Sequence, residues 1–185
     1  MEGLKFMPAN VLILYGTHEG QTRKIAGFVA ERLKARGLAV TMRDAADLNE
    51  QAQLPPFDAV LVAASLHIGG FQKSVARAIA RNAEAMAAKP NAFLSVSLSA
   101  AGDNEDDWRG LEECLERFFV QAHWRPQHVE HVAGAFRYTQ YDFFKRLAMT
   151  NIAKQRGGPV DTSRDWELTD WDKLAAFADA FAPQR

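Results

Sequence analysis

The 185-residue chain carries 48% hydrophobic and 24% charged side chains, the balance of a folded globular protein rather than a disordered one. Its formal net charge of -1 leaves no electrostatic footprint for nucleic acid, and its single cysteine, Cys114, excludes an internal disulfide and any Cys-x-x-Cys zinc or redox site. No apolar run approaches a transmembrane helix, and the opening "MEGLKFMPANVLILYG" has only a strand-length apolar stretch rather than a signal peptide, so a cytoplasmic location is expected.

The elements alternate along the chain. "NVLILYG" (10–16) is a continuous apolar run, the pattern of a strand buried on both faces. Ile25, Phe28, Val29 and Leu33 then recur at helical spacing, and Gly37 is a natural stop. "AVTMRDA" (39–45) and "AVLVAAS" (59–65) read as the second and third strands, and "SVARAIARNAEAMAAK" as a helix ended by Pro90. "NAFLSVSL" (91–98) is the fourth strand, and Trp108, Leu111, Leu115, Phe118, Phe119 and Ala122 mark an amphipathic helix. "VEHVAGAF" (129–136) is the fifth strand. Helical periodicity returns over 141–154, and a final helix begins with Thr169 as N-cap. Five strands alternating with helices predict an α/β fold over 1–185, one doubly wound domain with a five-stranded parallel sheet and helices on both faces.

In such sheets ligands bind beyond the carboxyl ends of the strands, near the point where strand order reverses. The loop Thr17, His18, Glu19, Gly20, Gln21 and Thr22 follows the first strand there. The first turn of a helix offers unpaired N–H groups and a partial positive charge, worth about 0.3–1 kcal/mol to an anion from the dipole alone. Threonine hydroxyls and the Gln21 amide add donors, and Gly20 lets the backbone approach. The loop lacks the G-x-G-x-x-G fingerprint and any Gly-Lys-Ser/Thr, and carries no Lys or Arg before Arg23, which suits a monophosphate held by neutral donors. A ligand-free capped helix is the bland alternative. Two further loops meet the same edge: Ser65, Leu66, His67, Ile68, Gly69 and Gly70, and then Ser97, Leu98, Ser99 and Ala100. Together the three describe a slot for a planar heterocycle with a phosphate tail.

The loop "GTHEGQTRKIA" resembles the phosphate loop of flavodoxins, Thr/Ser-x-Thr-Gly-x-Thr. The stretches "SLHIGGF", "HWRP", "AGAFRY" and "GGPVDTSRDWELTDW" resemble those of the menaquinone-dependent protoporphyrinogen oxidases, a flavodoxin-like bacterial family of haem synthesis. The resemblance runs from about residue 10 to about 180. It implies FMN, with its phosphate on Thr17–Thr22, its ring between 65–71 and 97–102, and backbone near Gly69 against flavin N5. It also implies oxidation of protoporphyrinogen IX to protoporphyrin IX with menaquinone as acceptor. The chain departs from the family at Ile68, where a tyrosine is frequent, and in the acidic "AGDNEDDWRGLEECLE".

Two other readings stand beside the enzyme: a flavodoxin-like electron carrier or another FMN-dependent quinone reductase, and a flavin-free interaction protein, against which Thr17, Gly20 and Thr22 argue. No residue is singled out as catalytic. Cys114 reads as a packing residue, and Asp103 to Asp107 as a solvated helix start. His128 and Glu130 share a strand face that His131 does not, so no metal site is expected. Residues 136–158 mix Phe136, Tyr138, Tyr141, Phe143, Phe144, Leu147 and Ile152 with Arg137, Lys145, Arg146, Lys154 and Arg156. That composition suits a helix at a bilayer interface, and it would bring the domain to the inner face of the cytoplasmic membrane, where the quinone is.

Overall fold

The computed structural model describes residues 9–49, 53–140, 143–155 and 157–182, with the side chains of 140 and 143–148 outside that description. Strands β1 (Asn10–Gly16), β2 (Ala39–Asp44), β3 (Ala59–Ser65), β4 (Asn91–Ser97) and β5 (Val129–Ala133) form one parallel sheet in the order β2-β1-β3-β4-β5. The chain leaves β1 towards one edge to make β2, then crosses back beyond β1 to make β3, so the loops after β1 and β3 diverge at the switch point.

Alternation along β1 divides its side chains between two cores. Val11, Ile13 and Tyr15 pack under α1 (Gln21–Ala35) through Ile25, Val29 and Leu33, joined by Leu174 and Phe177 near the C-terminus. Leu12 and Leu14 face the opposite layer, where α2 (Lys73–Ala87) contributes Val75 and Ile79, and α3 (Glu105–Ala122) contributes Leu111, Leu115 and Phe118. Burial on both faces is why the strands read as unbroken apolar runs. Phe93 on β4 is fully buried, with the rings of Phe71, Phe118 and Phe119 centred 5.5, 5.4 and 5.4 Å away. Burying a side chain of that size stabilises the fold by about 1.5–3 kcal/mol, with edge contacts adding to it.

The C-terminal third departs from the sequence reading in two places. The apolar run 129–136 is not one strand. It breaks at Gly134, and β6 (Ala135–Phe136) leaves the sheet to pair antiparallel with β7 (Trp166–Glu167), which lies beyond α4 (Phe143–Gln155). Gly134 is fixed at the break by its N–H to Ser97 O (3.0 Å) and by Leu168 N–H to its carbonyl (3.0 Å). The last helix, α5 (Trp171–Phe181), is capped by Asp170, whose carboxylate accepts from Lys173 N–H, and not by Thr169. Thr169 is drawn inward instead: its hydroxyl donates to Ala133 O at 2.7 Å.

Candidate functional site

A cleft with about 500 Å³ of empty space, part of it open to solvent, lies at the carboxyl edge between the diverging loops. The first loop supplies Thr17, His18, Glu19, Gln21 and Thr22 to its walls. Thr17 Oγ1 accepts the Gly20 N–H at 3.0 Å, closing a tight turn that Gly20 finishes at φ +85°. That left-handed value favours glycine, because a Cβ would clash with its own backbone. Helix α1 begins immediately afterwards with no side-chain cap, so its first N–H groups are turned towards the loop. Thr22 is 1% exposed and its hydroxyl has no hydrogen-bond partner. A buried hydroxyl left unpaired costs about 1–3 kcal/mol, so it persists where a ligand acceptor meets it. The uncapped helix, the glycine turn and the orphaned hydroxyl fit a phosphate group.

Gln21 holds the loop from behind. Its amide donates to Thr169 Oγ1 at 2.9 Å, and its oxygen accepts from Arg137 Nη2 at 2.7 Å. Arg137 also pairs with Asp165 at 3.4 Å. Burial would raise the Asp165 pKa, but hydrogen bonds from the Thr139 N–H and hydroxyl, with the Arg137 guanidinium, outweigh it and keep the carboxyl below the usual range. These contacts tie the loop to two of the C-terminal motifs, "AGAFRY" and "DWELTDW". Sequence reading had no signal for them beyond the motifs themselves, because the partners lie far apart in the chain.

From the second loop only Ser65, Leu66 and His67 reach the cleft wall. The His18 and His67 rings face one another across it, centroids 5.0 Å apart. Beyond His67 the chain makes a two-residue turn closed by His67 N–H to Gly70 O (2.9 Å) and Gly70 N–H to His67 O (3.2 Å). Its central residues, Ile68 and Gly69, have φ of +48° and +72°, the signs of a type I′ turn. For Ile68, β-branched and 93% exposed, this is a strained conformation. Ile68, Gly69 and Gly70 thus stand at the rim and not in the wall. The Gly69 carbonyl faces α3, accepting from Cys114 Sγ (3.3 Å) and Arg117 Nη2 (3.5 Å). Cys114 is buried as a packing residue and in addition anchors this turn.

The third loop contributes Ser97 and Leu98, while Ser99 and Ala100 form a short turn outside the wall, with Ala100 N–H bonded to Ser97 Oγ at 3.1 Å. Val96, Gly134, Ala135 and Met149 complete the cleft and were not anticipated. Gly134 and Ala135 could have been found from "AGAFRY", since a glycine following a buried strand marks a chain that leaves the sheet. Phe136 and Tyr138 are buried at 5% and 0% exposure, with rings stacked 5.4 Å apart against Ala153 and Met149. This corrects the interfacial-helix reading for its N-terminal part: Phe136, Arg137 and Tyr138 belong to a folded-in strand and turn. The side chains of Phe143, Phe144, Lys145, Arg146 and Leu147, and all of Tyr141 and Arg156, lie outside the described residues.

The flavodoxin domain family matches residues 12–163. Among curated proteins the chain is 32% identical over 167 residues to the protoporphyrinogen IX dehydrogenase (quinone) of Escherichia coli strain K12, covering 90% of this chain and 91% of that one. It is 31% identical over 175 residues to the Leishmania major protein of the same name, covering 92% and 74%. Among solved structures, oxidised flavodoxin 1 from Bacillus cereus superposes with a TM-score of 0.53 at 13% identity, covering 94% of this chain and 97% of that one, a likeness of fold.

Proposed function

We propose, from the premise that this chain belongs to the flavodoxin domain family and within it to the quinone-dependent protoporphyrinogen IX dehydrogenases, that it is an FMN oxidoreductase of haem biosynthesis, oxidising protoporphyrinogen IX to protoporphyrin IX and reducing a quinone. The observation that carries this reading is the extent of the similarity, which spans nearly the whole of both chains. Bound FMN supplies a two-electron relay between porphyrinogen and quinone, and the chain's share is to hold and tune it.

In this reading Thr17, Gly20, Gln21 and Thr22 form the phosphate cradle, with N–H groups of the first turn of α1 as donors. Ser65, Leu66 and His67 flank the ring on one side and Ser97 and Leu98 on the other, with His18 on the same cleft wall as His67. Ile68, Gly69 and Gly70, with Ser99 and Ala100, shape the rim where substrate and acceptor approach.

The protein is expected to purify yellow or to take up FMN one to one. Anaerobic protoporphyrinogen IX is expected to bleach the bound flavin, and a menaquinone analogue to restore its colour. If protoporphyrinogen leaves the flavin oxidised while a flavodoxin reductase reduces it rapidly, the chain is an electron carrier. The acidic first turn of α3, Glu105, Asp106 and Asp107, is the feature that would dock such a partner.

We also propose that the domain meets the quinone at a membrane surface through α4. No helix among the described residues is long and apolar enough to cross a membrane. Support for surface contact comes from exposed Ile152 and Lys154 on α4 and from Lys145 and Arg146 in its sequence. Each basic residue near an anionic surface adds about 1 kcal/mol, falling with salt. Sedimentation with phosphatidylserine-containing liposomes is expected at low salt, and its loss on Lys145→Glu/Arg146→Glu. Absence of pelleting, or pelleting indifferent to that double change, removes the membrane contact.

A further inference from the structure

The phosphate loop carries no cation of its own before Arg23, which is exposed on α1. The fold brings one to it from more than a hundred residues away. Arg137 follows β6 directly, is only 20% exposed in its side chain, and places Nη2 2.7 Å from the Gln21 side-chain oxygen, one residue before the orphaned Thr22 hydroxyl. The geometry points to Arg137 as a positioning and specificity residue for the FMN phosphate: it fixes Gln21, and through it the first turn of α1, and it sets a guanidinium charge behind the phosphate cradle. This rests on the FMN reading above.

Three observations carry the assignment. First, the guanidinium is held by two partners of different kinds, neutral Gln21 and anionic Asp165, so its place is defined from both sides. Second, Asp165 is itself oriented by the Thr139 N–H (2.9 Å) and hydroxyl (2.8 Å), which commits a local network to keeping the arginine where it is. Third, among the described residues the neighbouring Lys24 is paired with Glu167 at 2.5 Å and stacks over Trp171, which draws it along the helix flank. A partly buried charge acts through a lower effective dielectric than a surface one, so its influence on a dianion at the adjacent turn is not lost to solvent. Asp165 offsets part of that charge, which gives the arrangement a sign that can be tested.

The measurement is the ratio of FMN to riboflavin affinity, by fluorescence titration of the full apoprotein, because riboflavin shares the ring but lacks the phosphate. Arg137→Gln is expected to lower the ratio about tenfold, equivalent to ~1.4 kcal/mol, and to flatten the salt dependence of FMN binding. Asp165→Asn, which leaves the arginine unneutralised, is expected to raise the ratio about threefold, a direction that structural damage around Arg137 and Thr139 does not produce. Arg137→Lys is expected to recover part of the loss, keeping the charge without the planar fork. Equal weakening of FMN and riboflavin in Arg137→Gln, or a ratio that does not rise in Asp165→Asn, overturns the assignment and leaves Arg137 as a packing link. A wild-type protein that binds neither flavin overturns the FMN reading itself, which is a different result from wild-type binding with unaltered variants.

Discussion

Replacing Thr22 with valine is expected to weaken FMN binding about ten- to hundredfold while leaving riboflavin affinity within about twofold, since a hydrogen bond to a charged acceptor is worth about 1.5–3 kcal/mol. Valine matches the shape of threonine and replaces only its hydroxyl, with a methyl, at a buried atom that has no hydrogen-bond partner. The apoprotein should therefore be no less stable in urea than the wild type, and by up to ~1 kcal/mol more so, while the FMN complex loses. Opposite signs for apo stability and ligand affinity are the signature of a group kept for binding. Thr17→Glu, at a half-exposed position on the cleft wall, is expected to act more strongly, above about a hundredfold, by placing a carboxylate against the phosphate. Unchanged FMN affinity in both variants would remove this loop as the phosphate site.

Gly16→Ala is expected to cost about 1–3 kcal/mol and to lower the melting temperature by several degrees, although alanine suits most strand positions better than glycine. Gly16 is the last residue of β1, where α2 crosses closely. A Cβ there overlaps Val75 Cγ2 and stands 3.1 Å from Gln72 Oε1. Valine is stiff at χ1, and Gln72 is held by its bond to Ser65 Oγ at 2.5 Å, so neither neighbour yields freely. The double variant Gly16→Ala/Val75→Ala should be more stable than the two single losses added together, by about 0.5–3 kcal/mol in a thermal double-mutant cycle. Additive losses would show that the crossing is looser than this packing implies. Because Thr17 follows directly, FMN affinity should fall with Gly16→Ala and recover in the double variant.

The strands of the large sheet were legible because each is buried on both faces, which leaves a run such as "NVLILYG" no room for a polar residue. The three loops were legible for a related reason: in a parallel sheet, whatever follows an apolar run stands at the carboxyl edge. What could not be read depends on pairing between distant residues. The apolar run 129–136 gives no hint that it divides at Gly134, since Ala135 and Phe136 remain in extended conformation and only change partners, from β4 to β7. Thr169 looks like a cap because it precedes a helix, but Asp170 serves there while the threonine hydroxyl is taken by Ala133 and Gln21. Residues 136–138 read as the start of an interfacial stretch because aromatics and cations alternate there, although Phe136 also closes the predicted fifth strand. Burial of Phe136 and Tyr138 against Ala153 shows that these aromatics belong to a small third core. The left-handed backbone of Ile68 could not be anticipated, because β-branched residues rarely adopt it.

The hydrogen bond between Gln21 and Thr169 joins residues 148 apart in sequence, and that between Gln21 and Arg137 joins residues 116 apart. Contacts of such separation form late, because a long loop must close before they add stability. During synthesis the N-terminal strands can pair while the rest of the chain is still being made, but the loop at 17–22 has its final backing only once Thr169 has left the ribosome. A nascent chain stopped before that point therefore carries the loop without the Thr169 hydroxyl that receives the Gln21 amide. The rigidity of this loop is thus a property of the whole domain and not of the short motif that announces it.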